Sequence, residues 1–261
     1  MNNKDKDIYK FQLASDIHIE KRYPQNMTIT DFLIPSSPTL ILSGDIGSLY
    51  YIEQLTFFLK SCTQAFESVF FVPGNNEYYS REGFDQVSFK ELNHRLEKIC
   101  VDCNVILLNN SYVETDDLII FGSTWWSSIP EQLFLRIKIE EHYITSDDFN
   151  FMHYVARMSL NHVLKNKGDK KLLVITHYCP TKIGTMNTHH KKPCFTSLIP
   201  YYFSSSEKYL RMGMIDTWVF GHTHVFRDFI FECPDVALQT RIISNADPCK
   251  SFFKKNFCFE L

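Results

Sequence analysis

Residues 10–20 read KFQLASDIHIE. KFQLA has the length and apolar character of a short strand, and Asp16 and His18 follow where it ends. The same pattern recurs four times further along. TLILSGDIG at 39–47 carries Asp45, SVFFVPGNNEYY at 68–79 carries Asn75, Asn76 and Glu77, LLVITHYCP at 172–180 carries His177, and DTWVFGHTHV at 216–225 carries His222 and His224. Each puts an Asp, Asn or His just past an apolar strand, where open α/β sheets gather their sites. Singly the segments say little. Asp45 alone is a turn residue after Gly44, Asn75 a turn Asn, and His177 a structural histidine. Together they supply carboxylates, imidazoles and one amide carbonyl, the ligand types of a two-metal site for borderline divalent ions. On extended backbone, residues two apart face the same way. Asp16 and His18 are therefore expected to grip one ion from a strand end, and His222 and His224 to do the same or to reach two neighbouring ions.

Between these segments the first half alternates strand and helix. Tyr51–Cys62 and Asp85–Cys100 have helical spacing, and NVILL and LIIFG read as further strands. Residues 131 to about 165 are expected to be helical throughout, with Asp147 or Ser146 as a cap and Phe149, Met152, Val155, Ala156 and Val163 on one face. No element is evident from Pro180 to Phe203, a stretch that includes His189 and His190; a loop of that length is a candidate for substrate contact. From Val225 onward apolar and polar residues alternate as in antiparallel strands. Periodicity alone gives an α/β chain with a mixed sheet.

The ordered set of motifs, D-x-H at 16–18, G-D at 44–45, G-N-N-E at 74–77, the lone His177 and G-H-x-H at 221–224, resembles that of the calcineurin-like metallophosphoesterase superfamily. FGSTWWS at 121–127 and IISNADP at 242–248 resemble segments of a small soluble branch of it. The resemblance implies a four-layer αββα sandwich of two mixed sheets over a single domain, residues 1–261. It also implies two divalent ions (Mn, Fe or Zn, with Mn favoured). Asp16, His18, Asp45 and His224 would hold the first, and Asp45, Asn75, His177 and His222 the second, with Asp45 as the bridge. The implied reaction is hydrolysis of a phosphodiester or phosphoanhydride by a metal-bridging hydroxide. Two ions about 3.5–4 Å apart suit in-line attack on phosphorus.

One position departs from the pattern. The family has a catalytic histidine where this chain has Asn76. Asn donates a hydrogen bond but supplies no proton near neutral pH, and a positioned acid is worth about 10²–10⁴-fold. Asn76 is thus a catalytic and substrate-contact candidate that favours good leaving groups. Two other readings stay open: a metal-binding scaffold without turnover, and a nuclease. Glu77 is expected to orient the Asn75 loop rather than to bind metal. Trp125 and Trp126 read as core or pocket wall, and His94, His142, His153 and His162 as structural or surface histidines.

Composition bounds the rest. The 261 residues are 44% hydrophobic with a net charge of −3, and no Lys/Arg run suggests a polyanion-binding face. The expected partner is therefore a small phosphorylated substrate rather than a long nucleic acid. The polar N-terminus, the lack of a long apolar run and eight irregularly spaced Cys lead to the expectation of a cytoplasmic chain with reduced thiols and no membrane contact, including at the Cys100–Cys103 C-x-x-C. Oligomeric state is left open.

Overall fold

Strands that are apolar on both faces need cover on both sides, and that requirement sets the layers here. The computed structural model describes residues 8–21, 27–130, 134–186, 191–232, 239–247 and 249–261. Its strands are β1 (Lys10–Ala14), β2 (Thr39–Ser43), β3 (Ser68–Val72), β4 (Ile106–Leu107), β5 (Ser111–Glu114), β6 (Leu118–Ser123), β7 (Lys138–Ile139), β8 (His142–Tyr143), β9 (Lys171–Thr176), β10 (Thr217–Val219), β11 (Arg227–Glu232), β12 (Gln239–Ser244) and β13 (Cys258–Glu260). One five-stranded sheet runs β13-β1-β2-β3-β4 and one six-stranded sheet runs β11-β12-β10-β9-β6-β5. Both are mixed. In the first, β1 to β4 are parallel and β13 is antiparallel to β1. In the second, β12, β10, β9 and β6 are parallel and the two edge strands are antiparallel.

The period of two assigns each side chain to a layer. Leu13, Ile41 and Phe70 lie side by side across the first sheet, and Ile243, Val219 and Ile175 across the second. All six belong to one buried apolar cluster between the sheets. The alternate residues face outward. Leu40, Leu42, Val69 and Phe71 meet α2 (Ile52–Ala65) and α3 (Phe89–Asp102), while Ile119, Phe121, Leu172 and Val174 meet α4 (Ser146–Asn166). Helix, sheet, sheet and helix form the α/β sandwich that the sequence implied.

Three stretches depart from the sequence reading. Within 131–145, the described residues from 134 on are not helical: β7 and β8 pair as a two-stranded hairpin. The sequence there is LRIKI, alternating apolar and polar, and Ile137 is fully buried; a period of two prevails over a helix that had no cap. The cap of α4 is Thr145, not Ser146 or Asp147. Its hydroxyl accepts the Asp148 N–H, and the Asp148 carboxylate accepts the Thr145 N–H, a reciprocal capping box. Between Pro180 and Phe203, a 3-10 turn over Pro193–Leu198 leads into the short helix α5 (Ile199–Tyr202), followed by α6 (Glu207–Arg211). Each of the first two elements opens with a Pro at its start, a position that tolerates the missing N–H. Among the described residues, no helix is long and apolar enough to cross a membrane.

On α4, His153 is buried with its ring edge against Trp125 at 5.5 Å. Burial, and then the charge of Arg157, lowers its pKa to about 4 from the ordinary 6.5. The unfolded chain therefore binds the extra proton between these values, and the folded state loses stability as pH falls from about 6.5 towards 4. The loss is on the order of 3 kcal/mol. Urea unfolding of wild type and His153→Gln across pH 4–7 checks this. The variant should show the shallower acid slope; equal slopes would exclude His153 as the source.

Candidate metal centre

Five strand ends deliver the candidate ligands, and they do so through kinked rather than extended backbone. Asp16, His18, Asp45, His222 and His224 have φ of 56°, 51°, 54°, 63° and 51°. This corrects the expectation that strand pleating aligns Asp16 with His18 and His222 with His224. The residues lie in the left-handed region, which Asp and His enter more readily than β-branched residues. Such residues carry strain of about 1–3 kcal/mol each, which the surroundings must offset. Here neighbouring loops bind one another as if the sheet continued. The N–H groups of Asp16, His18 and Ile19 donate to the carbonyls of Gly44, Asp45 and Ile46 at 2.9–3.0 Å. Two glycines allow this close nesting. A Cβ on Gly74 would lie 2.2 Å from Asp45 Oδ1, and one on Gly221 would lie 1.9 Å from Ser15 Oγ.

Two groups of side chains converge. Asp16, His18 and His224 form one, and Asp45, His177 and His222 the other; within each, one ligand atom per residue lies within 4.8 Å of the others. His224 Nε2 is 3.1 Å from Asp16 Oδ1. Asp45 stands between the groups: its Oδ2 is 3.7 Å from His18 Nε2 and its Oδ1 is 3.3 Å from His177 Nε2. Asn75 Oδ1 joins the second group, 3.0 Å from His177 Nε2.

The electrostatics suit cations. Burial alone would raise the Asp45 carboxyl, but His177, then His18 and His222, hold it well below the usual carboxylate range. At Asp16 burial is likewise outweighed, mainly by His224. Burial would lower the two imidazoles, yet the carboxylates raise His177 to about 9 and His224 to about 10. His222 goes the other way, to about 3, through burial and the neighbouring His177 charge. Buried carboxylates balanced by protons on histidines are a site where a divalent ion can replace those protons. The buried Nε2 atoms of His18 and His222 have no hydrogen-bond partner. Two orphaned imidazole nitrogens beside ionised carboxylates fit a pair of divalent ions.

A surrounding set of contacts fixes the ligands' orientation. His177 Nδ1 lies 3.0 Å from the Ser43 carbonyl and His224 Nδ1 lies 3.2 Å from Asp247 Oδ2, so both rings present Nε2 to the centre. Asn75 Nδ2 donates to the Tyr79 hydroxyl at 2.8 Å, which turns its carbonyl oxygen inward. Glu77 is fully buried and accepts four backbone N–H groups, those of Asp45 and Gly74 on Oε2 and those of Ile46 and Gly47 on Oε1. Burial and then the Asp45 charge push its carboxyl up to about 8; the four donors leave no acceptor for an acid proton and are the contacts of the ionised form. Glu77 thus orients the loops, as its place in the sequence suggested.

Asn76 is buried beside the centre, but its amide is bound by protein. Nδ2 donates to Glu20 Oε1 at 2.9 Å, Oδ1 accepts from Arg81 Nη2 at 3.0 Å, and its N–H donates to Asp45 Oδ1 at 2.8 Å. His189 and His190 lie outside the described residues. Trp125 is core, its Nε1–H donating to Ser204 and Ser206 hydroxyls, and Trp126 packs on Tyr178 and Phe149. Cys179 is buried with its thiol pushed up to about 12, chiefly by burial, which fits no nucleophile. Cys100 and Cys103 are free buried thiols. Sequence reasoning missed the roles of Asp247, Tyr79, Glu20 and Arg81; the first three sat in stretches already singled out, and Arg81 did not.

Residues 9–226 match the family model of the calcineurin-like phosphoesterases. An uncharacterised protein, L509, of Acanthamoeba polyphaga mimivirus is 30% identical over 210 residues, covering 74% of each chain. Among solved structures, phosphopantetheinyl hydrolase (PptH) from Mycobacterium tuberculosis overlays with a TM-score of 0.64 at 15% identity, over 92% of this chain and 90% of that one. A dimetal phosphatase from Danio rerio overlays with a TM-score of 0.51 at 10% identity, over 90% of this chain and 86% of that one. At these identities the two structures speak for the fold alone.

Glu77→Gln turns an NH2 group toward two of the backbone N–H donors that Glu77 now accepts. Calorimetric titration with Mn2+ should show affinity reduced by about 10–100-fold, the usual effect of losing an orienting partner, with helix content retained by circular dichroism. Unchanged affinity would mean the loops hold their shape without that carboxylate.

Proposed function

The chain belongs to the calcineurin-like phosphoesterase family, and from that footing we propose that it hydrolyses a phosphodiester or phosphoanhydride at a centre of two divalent ions. The observation that carries the reading is the position of Asp45. Its two carboxylate oxygens face histidines of different groups, His18 and His177, as a bridging ligand's would. In this assignment Asp16, His18, Asp45 and His224 would hold one ion, and Asp45, Asn75, His177 and His222 the other. Divalent ions bound there supply Lewis acidity and a water acidic enough to attack phosphorus. Mn2+ is the ion favoured here for its fit to the carboxylate and carbonyl donors, while the imidazoles equally suit Fe and Zn.

The chain's own residues then hold the reacting groups and exclude competing ones. Asn75 and the histidines keep fixed rings and a fixed carbonyl because Tyr79, Ser43 and Asp247 hold their far sides. Tyr178, Tyr201 and Tyr202 pack around the His222 ring, with centroids 4.1–5.2 Å away, and form an apolar wall beside the second group. Asn76 lies where a proton donor is expected and has none to give, so the departing oxygen leaves as an anion. Aryl esters, anhydrides and strained cyclic phosphates tolerate that; plain alkyl esters do not. Asn76 acts here by position, through Glu20, Arg81 and Asp45, and the substrate is small and phosphorylated.

Mn2+-saturated protein should approach two ions per chain by elemental analysis, and Asp45→Ala should lose the pair rather than one ion. Substituted phenyl phosphodiesters should be cleaved with a rate that falls steeply as the leaving phenol's pKa rises, and chelator should abolish the activity. Full loading of Asp45→Ala with unchanged affinity would remove the bridge. A metal-loaded protein inert to phosphodiesters, cyclic nucleotides and dinucleoside polyphosphates would remove the hydrolase.

A further inference from the structure

Arg81 sits at the edge of the centre and is held in an unusual way. Its Nε donates to Ser48 Oγ at 3.0 Å, and its Nη2 donates to both the carbonyl and the Oδ1 of Asn76, at 3.1 and 3.0 Å. Its carboxylate contact among the described residues, Glu20 Oε1, is at 3.5 Å, long for a charge-assisted hydrogen bond. Arg241 shows the contrast: Asp228 takes its fork with both oxygens, at 2.9 and 3.0 Å. Arg81 is instead anchored mainly by neutral oxygens, so its charge is positioned but only loosely matched. Its Nη1 has no partner among the described residues, and the side chain keeps 18% exposure, so one edge of the fork is open.

The anchoring also sets its distance from the chemistry. Asn76 carries Arg81 on its carbonyl and side-chain oxygen, while its own N–H donates to Asp45, the carboxylate between the two ligand groups. The guanidinium is thus one residue removed from Asp45. Glu20 completes the frame, since Oε1 accepts from Asn76 and lies 3.6 Å from His18 Nδ1. A planar cation with an open edge, fixed beside clustered metal-ligand side chains, is the usual partner of a tetrahedral oxyanion.

We infer that Arg81 is a substrate-binding residue: its open edge takes a non-bridging oxygen of the phosphate group, and Asn76 is the bracket that holds it there. The inference rests on the phosphoesterase reading of the same site. It gives the Asn at position 76 a positive role, because one short planar amide accepts from Arg81 and donates to Glu20. Charge that builds on the phosphate oxygens as the ester bond breaks would meet a fixed guanidinium, with no proton transferred.

Inorganic phosphate is the probe, titrated calorimetrically into Mn2+-loaded protein, with Mn per chain measured on each sample. Arg81→Met should weaken phosphate binding by about 10–100-fold, the worth of one charge-assisted hydrogen bond, at unchanged Mn content. Arg81→Lys should recover part of it. Arg81→Met strands the buried Glu20, so the double variant Glu20→Gln/Arg81→Met is made beside it and should show the same loss. Three results overturn the inference: wild type that binds no phosphate, Arg81→Met that binds it as wild type does, or a double variant in which both metal and phosphate binding return. Arg81-dependent phosphate binding in a protein that hydrolyses nothing would leave this site standing and remove the hydrolase reading. Normal hydrolysis and phosphate binding by Arg81→Met would do the reverse.

Discussion

One buried carboxylate holds the loops of the first sheet in register. Glu77 receives four N–H groups from two separate stretches, 45–47 and residue 74, and so ties the turn after β2 to the turn after β3. Asp45 and Asn75 are displayed by those two turns. A charged group this deeply buried survives only if its oxygens are fully occupied, and here backbone donors do that rather than a counter-ion. Unlike a salt bridge, the arrangement brings no Lys or Arg of its own into the centre to compete with a cation. The left-handed residues at the strand ends depend on this frame, since their strain is borne by loop-to-loop hydrogen bonds that need the loops in place.

Much of this was legible in the sequence, for identifiable reasons. The five ligand-bearing strands were read nearly to the residue because they are short, largely apolar runs with an Asp, Gly or His within two residues of their ends. The candidate ligands were legible as an ordered set of residue types, and the structure brings all seven together. What failed was shape. Residues two apart on a strand and residues two apart on kinked backbone both converge, so D-x-H and H-x-H could not distinguish pleat from left-handed turn. The hairpin at 138–143 was hidden because neighbouring charges masked a short alternation. Asp247 stands 23 residues past His224 with no spacing rule to link them, and Arg81 matters only because Asn76 turns to meet it; neither relation exists before the chain is folded.

The substitution at position 76 changes meaning once its contacts are known. In the sequence it is a loss, an acid replaced by an amide. In the structure the amide is fully used, donating to one side chain and accepting from another while its backbone reaches Asp45. An Asn does this at little cost because it carries a donor and an acceptor on one rigid plane. At this position a hydrogen-bonded network stands where the family has a proton donor.

The seven candidate ligands also come from two different sheets. Asp16, His18, Asp45 and Asn75 follow strands of the first, and His177, His222 and His224 follow strands of the second. Protein contacts already cross the seam at this end: Ser43 Oγ donates to the Thr176 carbonyl, the His222 N–H donates to Asp16, and Ser15 bridges to Ala246. Cations there would act as rivets through two plates. The sandwich would then have a stiff edge at the metals and a softer one opposite, and pulling the plates apart would begin at the far edge.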